Sequence, residues 1–598
     1  MTADSPNGEP STDVPVTIPT EPPSTVTTLP AGPGRGRLVA WIAAGGVVAA
    51  AVVVALTLLV GGRSAGLDAA AAYVPADSFF YLEAQLDLPD GQRATLRGIL
   101  EKFPAVEADD LLGPALADTI DKALASGGAP VTYSDDIAPW FTGRVAVSVN
   151  AVPELATAGT FSVPPMVFLF GSRNAAAAGD AVARIRASLE GSSGVTFSSS
   201  ERDGVKLWTA QTPADGMGTA PTTVELAVTP DQVILGLNGG GVTALDVHAG
   251  KADALSGDGD LAQLIERLPK ARVAAMVVNT RALLQMGIYP SPLPSAIAAA
   301  FKATPDAGVA SLSFEANAIR MDLVSGPLPD GAPTTALSGD LAAEVPSDTL
   351  VFVEAPAIGD AIGQYVETVK ASAGVDPTTS VILEQLAQVE SALGVKLEDY
   401  FDWAGGMALA AGRDGNDPWG GVLVEVNDAA GAAQRVGQLD AFIALASSDA
   451  SSGISITHPT ASGLTFTSVR VAGMAVPQGA APPGGDLVFE YALANDRLLL
   501  GVGDGFIGRV LGLAAGDSLA TADSYGRALA AVGGDAKHGL IFVDLDATRR
   551  WVESIMPREE KTAYDRDVGP NLAPLDYFAM GSRVDGRFVL STMLLNLH

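Results

Sequence analysis

The sequence contains no cysteine among its 598 residues, and only four histidines. Without cysteine the chain has no disulfides, thiol nucleophiles, thiolate metal sites or lipidated N-terminal cysteine. The histidines are too few and too scattered to predict a zinc site, and they are His248, His458, His538 and His598. Any acid–base chemistry would therefore have to use carboxylates, and we expect no metal and no cofactor.

Basic residues are also scarce, because 36 lysines and arginines stand against 68 aspartates and glutamates, for a formal net charge of −32. Such an acidic surface repels phosphate backbones and anionic lipid headgroups, which makes nucleic acid an improbable partner. Hydrophobic residues make up 48% of the chain, which is ample for sizeable cores.

One uncharged apolar run, Leu38–Val60, is long enough to cross the roughly 30 Å core of a bilayer. Arg35 and Arg37 precede the run and Arg63 follows it, so the basic excess predicts a cytoplasmic N-terminus. A cleaved signal peptide ending near Ala69–Ala71 is the alternative, although its n-region and h-region would be unusually long. We expect an uncleaved signal anchor and an extracytoplasmic C-terminal part.

The segment before the run, residues 1–37, is rich in proline, threonine and serine and lacks aromatic residues. It cannot bury enough apolar surface to fold, so we expect a disordered cytoplasmic tail. A flexible leader is the simpler role, and threonine phosphorylation is the alternative.

The exported part resembles itself at a long period. The segment Ala72–Ser78 is similar to Glu344–Thr349, and each is followed by an apolar strand that contains a glutamate. Asp136–Gly143 is likewise similar to Asp399–Gly405. These matches predict an internal duplication with modules at residues 68–330 and 338–598, joined by a Pro-rich linker.

Each half shows a strand, helices, two strands and an Ala-rich helix, followed by hairpins with Asx, Pro and Gly at the bends. This order favours an α+β fold: two tandem homologous modules of largely antiparallel sheet with packed helices, preceded by one transmembrane helix.

Four features of the chain belong together: an N-terminal anchor, the opening VPADSFFYLEAQ (74–85), the following Phe103-Pro104 and the stretch Gly516–Leu529. In this combination the chain resembles an uncharacterised bacterial family. Its members are exported, membrane-anchored proteins with a domain of unknown function. The resemblance covers most of the chain from about Ala70 and implies neither an activity nor functional residues.

Two glycine motifs invite a functional interpretation. Gly503–Gly508 matches G-x-G-x-x-G between a strand and a helix, the context of a dinucleotide loop. The preceding strand belongs to a hairpin, so we favour a tight strand-to-helix turn. Gly62–Gly66 matches G-x-S-x-G but lacks the flanking strand and helix of a nucleophile elbow, so we assign it to a linker.

Acidic residues form the remaining candidates. Asp258–Asp260 and Asp414–Asp417 could bring oxygen ligands together for a cation, but neither fits an EF-hand loop. We expect Asp260 and Asp523 to cap helices and Asp414–Asp417 to form a turn.

Glu83 and Glu354 occupy matching strand ends in the two halves, where paired carboxylates could run hydrolysis. Glutamates at strand ends are more commonly exposed to solvent, and we expect this for both residues. Trp140 and Trp403 are expected to be core or edge anchors, each with one acceptor for its indole N–H.

These observations predict no catalytic, cofactor-binding or metal-binding residue. We expect a single-pass, membrane-anchored, non-enzymatic binding or structural component of the bacterial cell envelope, which contacts the membrane through Leu38–Val60. Its partner would be an envelope protein or a lipid. A carrier of an apolar ligand such as lipid is the alternative, and a carboxylate-based hydrolase is the third possibility.

Overall fold

A computed structural model describes most of the chain after residue 68. The described residues are 69–86, 90–106, 108, 112, 114–126, 131–150, 163–193, 195–212, 221–279, 307–328, 336–337, 341–371, 386–388, 390–391, 395–397, 399–415, 417–448, 453–472, 486–503, 505–534 and 538–598. The expected tail, the apolar run Leu38–Val60 and the Gly62–Gly66 motif lie outside them. None of the helices within these ranges is long and apolar enough to cross a membrane.

The described α-helices lie between or beside strands. They are α1 (Asp90–Leu100), α2 (Pro114–Ser126), α3 (Ala175–Ser193), α4 (Gly240–His248), α5 (Gly259–Glu266), α6 (Ile358–Ala371), α7 (Ala429–Ser447), α8 (Phe506–Leu511), α9 (Asp523–Ala531), α10 (Leu545–Ile555), α11 (Arg558–Asp567) and α12 (Gly569–Leu572).

Strands make up the rest of the regular structure. They are β1 (Phe80–Gln85), β2 (Phe141–Val149), β3 (Met166–Ser172), β4 (Ser198–Arg202), β5 (Val205–Gln211), β6 (Thr223–Val228), β7 (Gln232–Leu237), β8 (Ala274–Asn279), β9 (Ala307–Glu315), β10 (Ala318–Gly326), β11 (Thr349–Ala355), β12 (Ala404–Asp414), β13 (Asp417–Val426), β14 (Ile454–Thr457), β15 (Thr460–Ala461), β16 (Leu464–Thr465), β17 (Thr467–Val471), β18 (Leu487–Ala494), β19 (Arg497–Val502), β20 (Gly539–Asp544), β21 (Leu575–Asp585) and β22 (Phe588–Leu597).

Twenty of these strands form one antiparallel sheet, while β15 and β16 form a separate small hairpin. The order across the sheet is β4-β5-β6-β7-β3-β2-β1-β8-β9-β10-β22-β21-β20-β11-β12-β13-β19-β18-β17-β14. The expectation of an α+β fold with antiparallel sheet is confirmed.

Turn chemistry explains the hairpins. Asp203 and Gly204 join β4 to β5, and Asn495 and Asp496 join β18 to β19, all with positive φ. Two consecutive positive φ angles match the twist of a tight hairpin, and Asn, Asp and Gly adopt them most readily.

The two halves of the chain do not interleave in the sheet. Strands β1–β10 occupy one side, and β11–β14 with β17–β22 occupy the other; the pairing of β10 with β22 joins them. When the strands are counted inward from each end of the sheet, equivalent strands of the two halves follow one another in the same order.

The sheet has two unlike faces. We call the face that carries Glu83 and Glu354 the inner face, and the opposite one the outer face. In the first half, α4 and α5 cover the inner face around Tyr81 and Ile234. In the second half, α8 and α9 cover it around Phe352.

Helices α3 and α7 pack on the outer face near the two ends of the sheet, and α1 packs there beside Phe314. Helix α10 contacts β21 and β11.

The two cores share residues across the β10–β22 pairing. Phe588 and Leu590 of the second half pack against the first-half core, while Ala318 of the first half belongs to the second-half core. The guanidinium of Arg267 also stacks 3.9 Å from the centroid of the Phe588 ring. The halves are therefore packed as one body at their junction.

Candidate functional site

Glu83 and Glu354 are both buried, so the expectation of solvated strand ends is wrong. Their exposed fractions are 0% and 3%. Both point to the inner face, where helices rather than water cover the sheet. The sequence predicted that the two glutamates occupy matching positions, but their burial depends on how the helices pack on the sheet.

The two glutamates lie in a single register row of the inner face, which we call the carboxylate row. It runs across eight strands as Glu83, Ala275, Ser311, Asp322, Thr592, Gly581, Leu540 and Glu354. Seven strand spacings of about 4.8 Å place the glutamates roughly 34 Å apart along the sheet. Paired catalytic carboxylates stand about 5–9.5 Å apart, so these two do not form such a pair.

Each buried glutamate lies beside a buried tyrosine. The Tyr81 hydroxyl donates a 2.7 Å hydrogen bond to Oε2 of Glu83, and Arg144 Nε lies 3.1 Å from Oε1. Burial, and then the charge of Glu83, raise the pKa of Tyr81 well above its ordinary value. Burial followed by the charge of Glu354 likewise raises the pKa of Tyr525. Both phenols are therefore held in the protonated form.

The helix N-terminus beside the G-x-G-x-x-G motif holds a carboxylate of the chain itself. Glu490, buried on β18, accepts hydrogen bonds of 3.4 Å from the backbone N–H groups of Gly505 and Ile507. A dinucleotide loop offers such N–H groups to a pyrophosphate. Here an internal anion takes that position, which favours the structural turn over a nucleotide site.

The first half has the same arrangement without the motif. Glu225, buried on β6, accepts hydrogen bonds from the N–H groups of Gly241 (2.6 Å) and Val242 (3.1 Å) at the start of α4. Both helices also start after a glycine in the left-handed region, Gly239 or Gly505. Sequence reasoning missed this role of the two glutamates, although each stands in mid-strand among apolar residues.

The acidic clusters serve the fold. Asp258, not Asp260, caps α5 by accepting from the N–H groups of residues 260 and 261. Ala522, not Asp523, is the N-cap of α9, whose N-cap makes no side-chain hydrogen bond. Both expected caps were therefore placed one or two residues late.

Asp414 ends β12 and pairs with Arg509 on α8. Within the described ranges no group of three His, Asp or Glu side chains could hold a metal ion.

Both tryptophans are buried, as predicted. The indole N–H of Trp140 donates a 2.7 Å hydrogen bond to the carbonyl of Asp136. The indole N–H of Trp403 has no acceptor among the described residues, so the expected acceptor is found for one of the two.

A polar cluster at the start of the first half was not predicted. The Tyr73 hydroxyl donates a 2.6 Å hydrogen bond to Asp231 and lies 2.9 Å from Oγ1 of Thr229, while the His248 ring stacks on Tyr73. In the second half, Glu344 stands at the matching place and pairs with Arg497 Nη2 at 2.9 Å. Both contacts tie a short 3-10 segment to a hairpin, which indicates a structural role.

The outer face carries a second row, which we call the apolar row. It comprises Leu312, Met321, Met593, Met580, Ile541, Val353 and Leu409 on adjacent strands. None of these side chains is buried, and Met321 and Leu409 are 39% and 40% exposed. Sequence reasoning missed this surface because its strands are apolar at most positions, a pattern typical of strands buried on both faces.

Comparisons with known proteins give a family but no activity. No curated protein matches this chain. Two solved structures of TP0453 match it weakly, both at 11% identity and a TM-score of 0.21. Crystal form IV covers 42% of this chain and 78% of TP0453, and crystal form I covers 45% and 81%. A TM-score this low does not establish a shared fold.

One family model matches residues 38–585, from the first residue of the apolar run almost to the end of the chain. The predicted resemblance to a family of unknown function is thereby confirmed, while membrane anchoring and bacterial origin stay predictions. The chain belongs to the family described as "Protein of unknown function (DUF3352)".

Proposed function

We propose that this chain is a single-pass, extracytoplasmic, non-enzymatic binding protein of the cell envelope, built from two tandem copies of one α+β module. Leu38–Val60 would anchor it, with the N-terminus in the cytoplasm. The observation that carries the binding role is the partly exposed apolar row on an otherwise strongly acidic chain.

Matching backbone contacts support the duplication. Pro75 bridges Ala254, and Pro346 bridges Ser518, in the same antiparallel manner. The carbonyl of Trp140 accepts a 2.8 Å hydrogen bond from the N–H of Arg173, and the carbonyl of Trp403 accepts one of equal length from Asn427. Contacts that join distant segments in the same way in both halves are what two copies of one module would make.

The extent of the family match supports the assignment of a membrane anchor. The family model starts at Leu38, so the apolar run belongs to what its members share. A run of 23 residues without charge is long enough to span a bilayer.

The apolar row supports binding of an apolar surface. Its strands lie between α3 and α7, the helices that cover the two ends of the outer face, and α1 and α10 also contact some of these strands. Apolar surface that stays partly accessible along a register row, most of all at Met321 and Leu409, is typical of interaction sites. We assign it to an envelope protein partner.

Four of the carboxylates in the described part of the chain already have structural roles. Glu225 and Glu490 bind helix N-termini, Glu83 pairs with Arg144, and Asp414 pairs with Arg509. The separation of Glu83 from Glu354 likewise gives a carboxylate-based hydrolase no support.

A photo-crosslinking amino acid at Met593 tests the binding role in cells that produce the full chain. We expect adducts from this position and none from Asp585, an exposed residue at the turn between β21 and β22. A protein adduct would identify the partner. Equal or absent labelling at both positions would contradict the assignment.

A lipid carrier is the second candidate, favoured by three neighbouring methionines in the row. Met321, Met593 and Met580 are register partners on adjacent strands. Methionine side chains are flexible and polarisable, so they adapt to ligands of irregular shape. A lipid adduct at Met593 in the same experiment would select this function.

A further inference from the structure

Three side chains of the first half gather two positive charges around one indole ring. Lys206 and Trp208 alternate along β5 on the outer face of the sheet, and Arg186 lies above them on α3. Lys206 Nζ and Arg186 Cζ each lie 5.4 Å from the centroid of the Trp208 ring, within the range of a cation–π interaction. We call these three residues the cationic cluster.

The cationic cluster has donors but no acceptor. Trp208 Nε1 and Arg186 Nε are buried without a hydrogen-bond partner. Within the described ranges neither Arg186 nor Lys206 forms an ion pair with a carboxylate. Charged donors form their strongest hydrogen bonds with anions, so the missing partner of the cluster is expected to carry negative charge.

The carboxylates beside the cluster do not supply that charge. Asp203, at the turn between β4 and β5, pairs with Lys251 at 2.6 Å. Glu190, one helical turn after Arg186, accepts a 3.3 Å hydrogen bond from a backbone N–H. Glu201 is the register partner of Lys206 but stays exposed and makes no ion pair with it. The cluster is therefore a local exception in a strongly acidic chain.

The second half satisfies the equivalent positions internally. Arg186 and Asp440 are each the twelfth residue of α3 or α7, whose fourth residues are both buried alanines. The hydroxyl of Tyr491 on β18 donates a 2.5 Å hydrogen bond to Asp440, and its register partner Thr467 stands where the first half has Trp208. The fold thus does not require a cation and an indole here, and the first half lacks the acceptor that the second half provides.

The cluster lies near the place where the chain enters the first half. Ala70 and Tyr73 are completely buried, and the Tyr73 hydroxyl binds Asp231 at the turn between β6 and β7. Strand β5 pairs with β6, so Lys206 lies one strand away from this turn. Strand spacing and side-chain lengths place the cluster roughly 20 Å from Tyr73.

The proposed anchor holds this place close to the bilayer. Residues 61–68 separate Val60 from the first described residue, and eight residues span at most about 28 Å. Strand β14 lies at the other end of the twenty-stranded sheet from β4. The first half is therefore the part of the protein that the anchor keeps at the membrane surface.

We propose that the cationic cluster binds the phosphate groups of lipid headgroups, so that the side of the first half formed by α3 and β5 lies against the bilayer. Arginine and lysine donate to phosphate oxygens, and tryptophan is enriched at the level of the headgroups. Zwitterionic lipids also carry phosphate, so binding does not require an anionic membrane. This inference rests on the membrane anchor of the proposed function.

Spin labels on the full chain in phosphatidylcholine vesicles test the contact, because the sequence has no cysteine of its own. Ser199→Cys places a label on β4 opposite Trp208, and Ser455→Cys places the control label on β14; both positions are exposed. We expect collisions with nickel held at the lipid headgroups to be at least threefold more frequent at position 199.

Two outcomes would overturn the inference and separate it from the proposed function. Equal collision rates at the two positions, in a chain that floats with the vesicles, would overturn the headgroup contact alone. A chain that does not float with the vesicles would overturn the anchor and the contact together.

Charge variants test the residues themselves. In the Ser199→Cys background, Arg186→Gln with Lys206→Glu should lower the collision rate at least twofold. Arg558→Gln with Arg583→Gln removes two exposed arginines of the second half and should leave the rate unchanged. Lys206→Glu alone alters only an exposed side chain, so a lower rate in this variant does not depend on unfolding. An unchanged rate in both cluster variants would overturn the proposal.

A soluble anion is the competing ligand. Titration calorimetry with inorganic phosphate, on the full chain in an uncharged detergent, separates the two sources of phosphate. We expect no binding tighter than roughly millimolar, because two cations at a partly exposed site hold a free anion weakly. Binding in the micromolar range would assign the cluster to free phosphate and overturn the lipid assignment.

Discussion

The Thr592 hydroxyl donates a 2.7 Å hydrogen bond to Oδ1 of Asp322, and both residues are buried at the junction of the two halves. Each is the fifth residue of its strand, β22 or β10, and the two are register partners. Antiparallel pairing of two strands at equivalent positions relates the strands by a local two-fold axis. The strands on either side of this pair follow the same order outward.

Loss of the Thr592 hydroxyl should destabilise the junction. Thr592→Val keeps the shape of the side chain but removes the donor to a carboxylate that also binds Arg320. We expect a loss of about 1–2 kcal/mol in the free energy of unfolding, measured by denaturant titration. Thr460→Val, at an exposed position of β15, should change it little. Equal effects of the two changes would contradict the assigned role.

Removal of the Glu225 carboxylate should weaken the start of α4. Glu225→Ala leaves the N–H groups of Gly241 and Val242 without their acceptor in a buried site. Hydrogen bonds to charged groups predict a cost of about 1.5–3 kcal/mol in a denaturation experiment. The exposed Glu201→Ala serves as the control, and a loss no larger than in this variant would speak against a capping role.

Both buried tryptophans should be essential for stability. Trp403→Ala and Trp140→Ala each remove a large ring from the core between the sheet and α7 or α3. The typical cost of such a change is about 3–5 kcal/mol, visible as a lower midpoint of thermal unfolding. Val502→Ala is an exposed control. Unchanged melting of both variants would show that the rings are not core residues.

Alkaline unfolding should coincide with tyrosine ionisation. Burial is the largest cause that raises the pKa values of Tyr73, Tyr81, Tyr491 and Tyr525 above the ordinary 10.0. A phenol whose pKa is higher in the folded state than in the unfolded state holds its proton more tightly in the native protein. Their contribution to stability is therefore complete below pH 10 and lost as the pH rises above it.

The measurement is a pH titration followed by tyrosinate absorbance and by circular dichroism. We expect these four phenols to ionise in one step together with loss of structure. Complete ionisation of all ten tyrosines while the fold persists would contradict this prediction.

Membrane orientation can be tested with protease on intact spheroplasts. The two arginines before Leu38 predict that the region after Gly62 is degraded while the N-terminal tail is protected. Epitope tags at both ends report the result, and lysed spheroplasts, in which both tags should be lost, are the control. An inaccessible C-terminal tag with an accessible tail would reverse the topology.

Several features could be predicted from local patterns. The succession of strands along the chain and the antiparallel hairpins were predicted from short apolar segments and from turn residues such as Asn495 and Asp496. The burial of Trp140 and Trp403 followed from residue type. Helix caps were less accurate, because Asp258 and Asp260 are both plausible caps and only backbone geometry at the first turn selects between them.

The candidate sites depended on contacts between distant segments. Glu83 and Glu354 were predicted to be solvated, yet the helices that follow the hairpins cover them. The G-x-G-x-x-G motif could not be judged without Glu490, which reaches the same turn from the neighbouring strand of the hairpin.

The sequence by itself determined the acidic charge, the absence of thiol chemistry and the alternation of helices with antiparallel hairpins, because these properties are composition or involve residues close together along the chain. Only the tertiary structure decided that Asp322 meets Thr592, that the carboxylate row is buried and that the apolar row is not. These outcomes depend on strand register and on which face each helix covers, which are set by contacts between residues far apart in sequence.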